Sequence, residues 1–591
     1  MRTAKRSGNR HFILWVVTIA GLLSYAAILA AEGGGTRYTG EGFASRSPVL
    51  ARHGMAATSH PLASSVAVDI MKKGGSAIDA AIAANALLAL VEPHACGIGG
   101  DLFAIVWDPK TEKLHGYNGS GRSPSGLTYE AMRAALGKRE SIPLFGPLAI
   151  TVPGAVDGWY ALHGRFGRLS MAELLAPAIQ YAREGIPVTE VDAALWAEAL
   201  GEFDTSDLPK SMLDELHRVY QIDGRPPRSG EIYRNPDLAE SYERLATGGR
   251  ESFYRGETAR QIVTSIAEFG GKLENDDLVR HKGEWVTPVS VNYRGYDVYE
   301  LPPNGQGIAA LQMLNILEAW PLGELGRDNP DFWHLMIEAK KLAYEDRAKY
   351  YADPAFNDNP VAGLLSKTYA KDRRELINID QAALKMPAGE PPPRGDTTYL
   401  AVADKDGMMV SFIQSNYWEF GSGLVPDDLG FALQNRGFAY SMDQQHANVY
   451  APGKRPFHTI IPAMLMKNDE PLMAFGVMGG YLQPQGHVQI LVNIIDLGMN
   501  VQEAGDAART VHRAGSQPTG GTMDDGGQVF MEAGISADVV KNLRDRGHRI
   551  THGDRPYIGF VGGYQAVWRD PETSVYHGAS EMRFDGAALG Y

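Results

Sequence analysis

Gly395-Asp396-Thr397-Thr398-Tyr399-Leu400-Ala401-Val402-Ala403-Asp404 joins two unlike textures. Before it runs a Pro-rich polar segment, residues 386–394. After it an alternating strand pattern turns at Asp404-Lys405-Asp406-Gly407 and returns from Met408 to Ser415. A hydroxyl therefore sits where a polar run becomes a buried strand. A threonine freed by cleavage of its own preceding peptide bond has an α-amine able to serve as base for its weak hydroxyl nucleophile. β-Propensity alone also places Thr-Thr at a strand start, so the rest of the chain must decide between the two.

Upstream of this stretch the pattern is largely helical. The run from His53 to Ser64 opens a helix that continues through Val66, Ile70 and Met71 to Gly74-Gly75. Residues 76–91 are so rich in alanine and leucine that the helix they form should be buried nearly all round. Gly97-Ile98-Gly99-Gly100-Asp101 then turns the chain into a strand over residues 102–107. This run lacks the G-x-G-x-x-G spacing and follows no strand, so dinucleotide binding is rejected, and its glycines read as backbone packed close to another segment or a substrate. Further helices are expected over residues 128–136, after residues 153–159, and over 171–184, 308–319 and 330–350, with a strand over 292–299. Downstream of Thr397 strands and glycine turns dominate, with a strand over 471–478, Gly479-Gly480, and a helix over 485–496.

The 591-residue chain is 44% hydrophobic and 21% charged, with a formal net charge of −14. An acidic balance with no long basic run excludes a nucleic-acid partner. Arg2, Lys5, Arg6 and Arg10 precede an uncharged span, residues 12–31, and then Glu32-Gly33-Gly34-Gly35. This is an export signal, either cleaved or kept as an N-terminal membrane anchor, with the body periplasmic or extracellular in both cases. The only cysteine, Cys96, excludes an intramolecular disulfide. No G-x-S-x-G elbow and no H-E-x-x-H occurs, and the 16 histidines are scattered, so neither a metal nor a cofactor is expected.

The residues from His53 to Ser64, Gly74 to Ala81, Glu92 to Phe103, Val152 to Trp159, Ala343-Tyr344-Glu345-Asp346-Arg347 and Asp396-Thr397-Thr398-Tyr399 stand in one order over most of the chain. In this the chain resembles the γ-glutamyltransferase (γ-glutamyltranspeptidase) family of N-terminal nucleophile hydrolases. The resemblance implies an α+β fold, a four-layer αββα sandwich. It implies a proenzyme that, behind the signal or anchor (1–35), cuts itself between Asp396 and Thr397 into a helix-rich large subunit (36–396) and a strand-rich small subunit (397–591) that begins with the nucleophile. It further implies an oxyanion hole at Gly479 and Gly480, Ser415 as a partner orienting Thr397, and Asn416 at the substrate.

Where glutamyl-specific members of that family hold the substrate carboxylate with an arginine, this chain has Ser120, with Arg122 two residues on. Where they hold the α-amine with an aspartate it has Ala439, and their serine pair is replaced by His458-Thr459. The short segment between Ala439 and Lys454 implies that the covering lid of many members is absent. These features resemble the branch of cephalosporin acylase-like proteins and oxamate amidohydrolases. Arg122 and Arg436 are the residues able to grip a carboxylate bidentately, and His458 and Thr459 are candidate substrate contacts. The function implied is hydrolysis or transfer of γ-glutamyl compounds such as glutathione, with water or an amino acid as acceptor. A related amidohydrolase for oxamate or a cephalosporin or glutaryl amide is the alternative within enzymes. An inactive exported binding protein of the same fold is the alternative outside them.

Overall fold

The computed structural model describes residues 43, 45–391, 401–556 and 558–591. The export segment, Asp396 and Thr397 lie outside these, and no helix among the described residues is long and apolar enough to cross a membrane.

Fourteen strands form two sheets. In chain order they are β1 (Val49–Ala51), β2 (Met55–Thr58), β3 (Asp101–Asp108), β4 (Lys113–Asn118), β5 (Glu284–Val286), β6 (Val289–Tyr293), β7 (Tyr296–Glu300), β8 (Ala401–Ala403), β9 (Met409–Ser415), β10 (Ala463–Lys467), β11 (Glu470–Val477), β12 (Tyr564–Arg569), β13 (Tyr576–Ser580) and β14 (Ala587–Gly590). The first sheet runs β1-β13-β12-β11-β10-β7-β6 and the second β14-β2-β8-β9-β3-β4-β5. Every pairing in both is antiparallel.

The sheets pack face to face, with β9 and β8 against β11 and with β2 against β12 and β13. Helices α1 (Pro61–Lys72), α2 (Ala77–Val91) and α3 (Ala155–Phe166) cover the outer face of the second sheet. Helices α4 (Ile308–Leu317), α5 (Pro330–Tyr350), α6 (Gln483–Ile495) and α7 (Val501–Asp506) lie on the side of the first. The result is the four-layer αββα sandwich. Its two main cores each draw residues from before residue 392 and from after residue 400.

The local chemistry follows the sequence closely at the helices. Ser76 and Asp79 make a reciprocal capping box that starts α2, and all fifteen residues of α2 are buried. Pro330 opens α5 at its first turn, where a missing N–H costs nothing. Two expectations are corrected. Residues 292–299 are not one strand: Arg294 and Gly295 adopt φ of 51° and 84°, the left-handed pair a two-residue hairpin needs, and split the run into β6 and β7. The run from His53 to Ser64 does not pass straight into a helix, because Met55–Thr58 form β2 and α1 starts only at Pro61.

Candidate active site

The floor of the site is the end of the β9–β3 ladder, where Ser415 lies opposite Asp101. The glycine run before β3 permits this. A Cβ at Gly100 would stand 2.4 Å from the Ser415 carbonyl oxygen, and one at Gly99 would stand 2.1 Å from that of Ala432, so this turn accepts only glycine at both places. Ser415 Oγ accepts the Tyr417 N–H at 2.8 Å. Asn416 is buried, donates its N–H to the Ala95 carbonyl, and leaves its Oδ1 without a partner.

Beyond this floor stands Arg436, fully buried on a short 3-10 turn (Arg436–Ala439). Its Nη1 donates to Thr459 Oγ1 at 2.7 Å, while Nε and Nη2 have no partner. Those two nitrogens form one edge of the guanidinium, the edge that takes both oxygens of a carboxylate. Tyr417 lays its ring over the guanidinium at 4.5 Å, and does so from φ of 82°, a strained backbone for an aromatic residue. Strain retained beside an unpaired buried cation marks a place organised for a ligand. Burial lowers Arg436 to about 10, opposed by Asp101, so it stays charged near neutrality.

Asp101 is likewise buried. Desolvation raises its carboxyl to about 7, against the pull of Arg436 and of hydrogen bonds from the Gly121 N–H and Gln434 Nε2. His458 Nε2 lies 3.1 Å from Asp101 Oδ2, its backbone N–H donates to the Asn304 carbonyl, and its Nδ1 is unpartnered. Burial and the neighbouring Arg436 push His458 well below its ordinary range, so it is a neutral imidazole.

The opposite wall is the turn after β11. Gly479 has φ of 126° and Gly480 of 58°, and the space in front of Gly480 is open. Among the described residues neither glycine N–H finds an acceptor. The carbonyls around them are held. Gln306 Nε2 donates to Gly480 O at 2.8 Å and to Thr459 O at 2.7 Å, and Tyr344 Oη donates to Tyr481 O. Gln306 Oε1 accepts Nη1 of the buried Arg347. Behind the strand, His487 Nε2 accepts the Val477 N–H and its Nδ1 lies 2.9 Å from Glu300. Free donors on a braced turn are what stabilisation of a developing oxyanion requires.

The structure thus brings together Ser415, Asn416, Arg436, His458 and Thr459. It sends Arg122 elsewhere: that guanidinium pairs with Asp353 at 3.2 Å and Glu284 at 3.1 Å and donates to Gly453 O. Asp101, Gln306, Arg347 and Tyr417 were missed as site residues. No periodicity marks them: Asp101, Gln306 and Arg347 act through contacts far along the chain, and Tyr417 through the Arg436 guanidinium. One grouping with metal-ligand chemistry occurs among the described residues, His334, Glu338 and His548. Lys341 Nζ already holds Glu338 Oε1 at 2.7 Å, and the two imidazoles lie 2.9 Å apart, so an ammonium occupies the charge a cation would need.

The family model described as gamma-glutamyltranspeptidase matches residues 63–591. The chain belongs to the γ-glutamyltranspeptidase family. Within that family, it is 38% identical to the glutathione hydrolase-like YwrD proenzyme of Bacillus subtilis, an alignment covering 92% of this chain and 99% of that one. It is 35% identical to the oxamate amidohydrolase proenzyme of Klebsiella pneumoniae, with 92% and 99% covered. Among solved structures, the cephalosporin acylase from Bacillus halodurans superposes with a TM-score of 0.86 at 43% identity, covering 94% of this chain and 99% of that one.

Proposed function

We propose that this chain is a self-processing amidohydrolase that uses Thr397 to hydrolyse small amides whose acyl half ends in a carboxylate and carries no ammonium group. The observation that carries the reading is Arg436, buried with its Nε–Nη2 edge unpaired. A buried cation costs several kcal/mol unless an anion meets it, roughly what a charge-assisted carboxylate pair returns. An α-ammonium has no comparable host. The position expected to hold it is Ala439, and Asp101 already accepts from the Gly121 N–H and Gln434 Nε2 and lies 3.1 Å from His458 Nε2. This narrows the γ-glutamyl expectation toward a dicarboxylic monoamide.

Maturation starts when Thr397 Oγ attacks the Asp396 carbonyl. The acyl group shifts from nitrogen to oxygen, and water cleaves the ester to free the Thr397 amine. β8, which begins four residues after Thr397 in sequence, pairs with β9, and β9 ends at Ser415, the residue expected to orient the nucleophile. In turnover Thr397 Oγ attacks the substrate amide carbon while its own amine takes the proton and returns it to the leaving amine. The N–H groups of Gly479 and Gly480 receive the oxyanion, Arg436 the remote carboxylate, and Asn416 and Thr459 flank the acyl chain. Water then releases the acid; an amino acid in its place would give transfer. No nucleic acid and no cofactor takes part.

Denaturing gels and a substrate panel test this. Wild type is expected as two fragments and Thr397→Ala as one, with activity falling by about 10⁴-fold or more. Oxamate and a glutaryl amide are expected to outrun glutathione and a γ-glutamyl anilide. An uncut wild-type chain with full activity would sink the proposal.

A further inference from the structure

We propose that Gln306 is a specificity-determining positioning residue: its single amide fixes the span between the Arg436–Thr459 carboxylate anchor and the Gly479–Gly480 turn, and so sets the acyl-chain length the site accepts. This rests on the amidohydrolase reading above, which supplies the roles of the two ends.

Thr459 lies just before β10 and Gly480 just after β11, and these strands are antiparallel neighbours, so both loops leave the same edge of one sheet. Strand pairing fixes their roots and not their tips. At the tips Gln306 Nε2 gives one proton to Thr459 O and the other to Gly480 O. The same Thr459 accepts Arg436 Nη1 through its hydroxyl. One planar group thus touches the residue that orients the anchor and the residue that presents an oxyanion donor.

The amide cannot turn over. Its Oε1 accepts from Arg347, whose Nη2 donates to Gln517 and whose guanidinium lies 3.8 Å from the Tyr344 ring. A flipped amide would set N–H against N–H on one side and oxygen against two carbonyls on the other. Gln306 and Arg347 are both fully buried, so water cannot substitute for either bond. A second link, from the Ile461 N–H to Gln483 Oε1 at 2.7 Å, keeps the loops joined when Gln306 is replaced. Removal of Gln306 therefore loosens the distance between the ends without parting them. A substrate held at both ends senses that distance as chain length, and reaction geometry tolerates about 0.5 Å of error.

The test measures kcat and KM for oxamate, malonamate, succinamate, glutaramate and adipamate in wild type, Gln306→Ala, Gln306→Met and Tyr344→Phe, with maturation followed on denaturing gels. Wild type is expected to favour one length over its neighbours by about tenfold or more in kcat/KM. Both Gln306 variants are expected to shrink that preference below about threefold. Tyr344→Phe keeps the ring against Arg347 and removes only the hydroxyl that holds Tyr481 O, so kcat should fall by about tenfold at every length and leave the profile's shape intact. A Gln306 profile as sharp as wild type overturns the proposal, as does a flat wild-type profile. Failure of both Gln306 variants to mature while Tyr344→Phe matures overturns it in favour of a purely structural role. A wild type that hydrolyses none of the series instead overturns the amidohydrolase reading.

Discussion

At the Gly479–Gly480 end of the site the carbonyls of Gly480 and Tyr481 each have a donor, from Gln306 and Tyr344, and the glycine N–H groups alone are left open. At the Arg436 end the open groups are a charged guanidinium edge and His458 Nδ1, beside a carboxyl that desolvation keeps half-protonated near neutrality. On the proposed function the first end is finished before substrate arrives, which is how a protein lowers the cost of meeting charge that exists only in a transition state. The second would be finished only by substrate. Damage to the first should appear in kcat, and damage to the second in binding and in the stability of the free protein.

The largest break in that contrast should come from Gly479→Ala. Its φ of 126° is poor for an L side chain, and a Cβ there would stand 3.3 Å from Gly562, so the turn should shift and kcat fall by about 10²-fold with KM little moved. Arg436→Met should act the other way. It removes an unpaired buried cation, so kcat/KM for carboxylated amides should fall about 10²-fold while the free protein gains roughly 1 kcal/mol or more in a thermal melt. A variant both less active and less stable would show that Arg436 braces the fold.

Asp101 sharpens the comparison through pH. Burial raises its pKa to about 7, above the unfolded value of about 4. Below pH 7 the neutral carboxyl leaves Arg436 to the substrate; above it the carboxylate competes. KM should therefore rise from pH 6 to 8 in wild type and stay flat in Asp101→Asn. The same shift makes its contribution to stability complete below the unfolded pKa and lost as pH climbs through the folded one. The smallest effect is expected at Arg122, whose charge Asp353 and Glu284 already meet at a partly exposed position. Arg122→Met should change kcat/KM by less than about threefold.

The sequence was legible where structure is local. The capping box at Ser76, the proline at Pro330 and the apolar run of α2 each mark an element within a few residues. The glycines before β3 were legible as close approach, and what they approach, Ser415 and Ala432, was not. Arg294-Gly295 carried too weak a turn signal to split a strand. In the site, Gly479-Gly480 and Thr459 came from motif, whereas the open edge of Arg436 and the paired hydrogen bonds of Gln306 depend on partners more than a hundred residues away or on the absence of any. Chain order holds no trace of an unmade hydrogen bond.

The two sheets interleave the chain on either side of residues 392–400. β8 lies between β2 and β9, β9 pairs with β3, β10 with β7, β13 with β1 and β14 with β2. Neither stretch owns all of either seven-stranded sheet, so neither of these sheets closes until strands from both are in place. The cut proposed at the 396–397 bond would then wait for both stretches, and its two products would stay bound through five ladders. Under the proposed maturation, sheet order would thereby set timing, the reactive amine appearing only once both stretches have assembled.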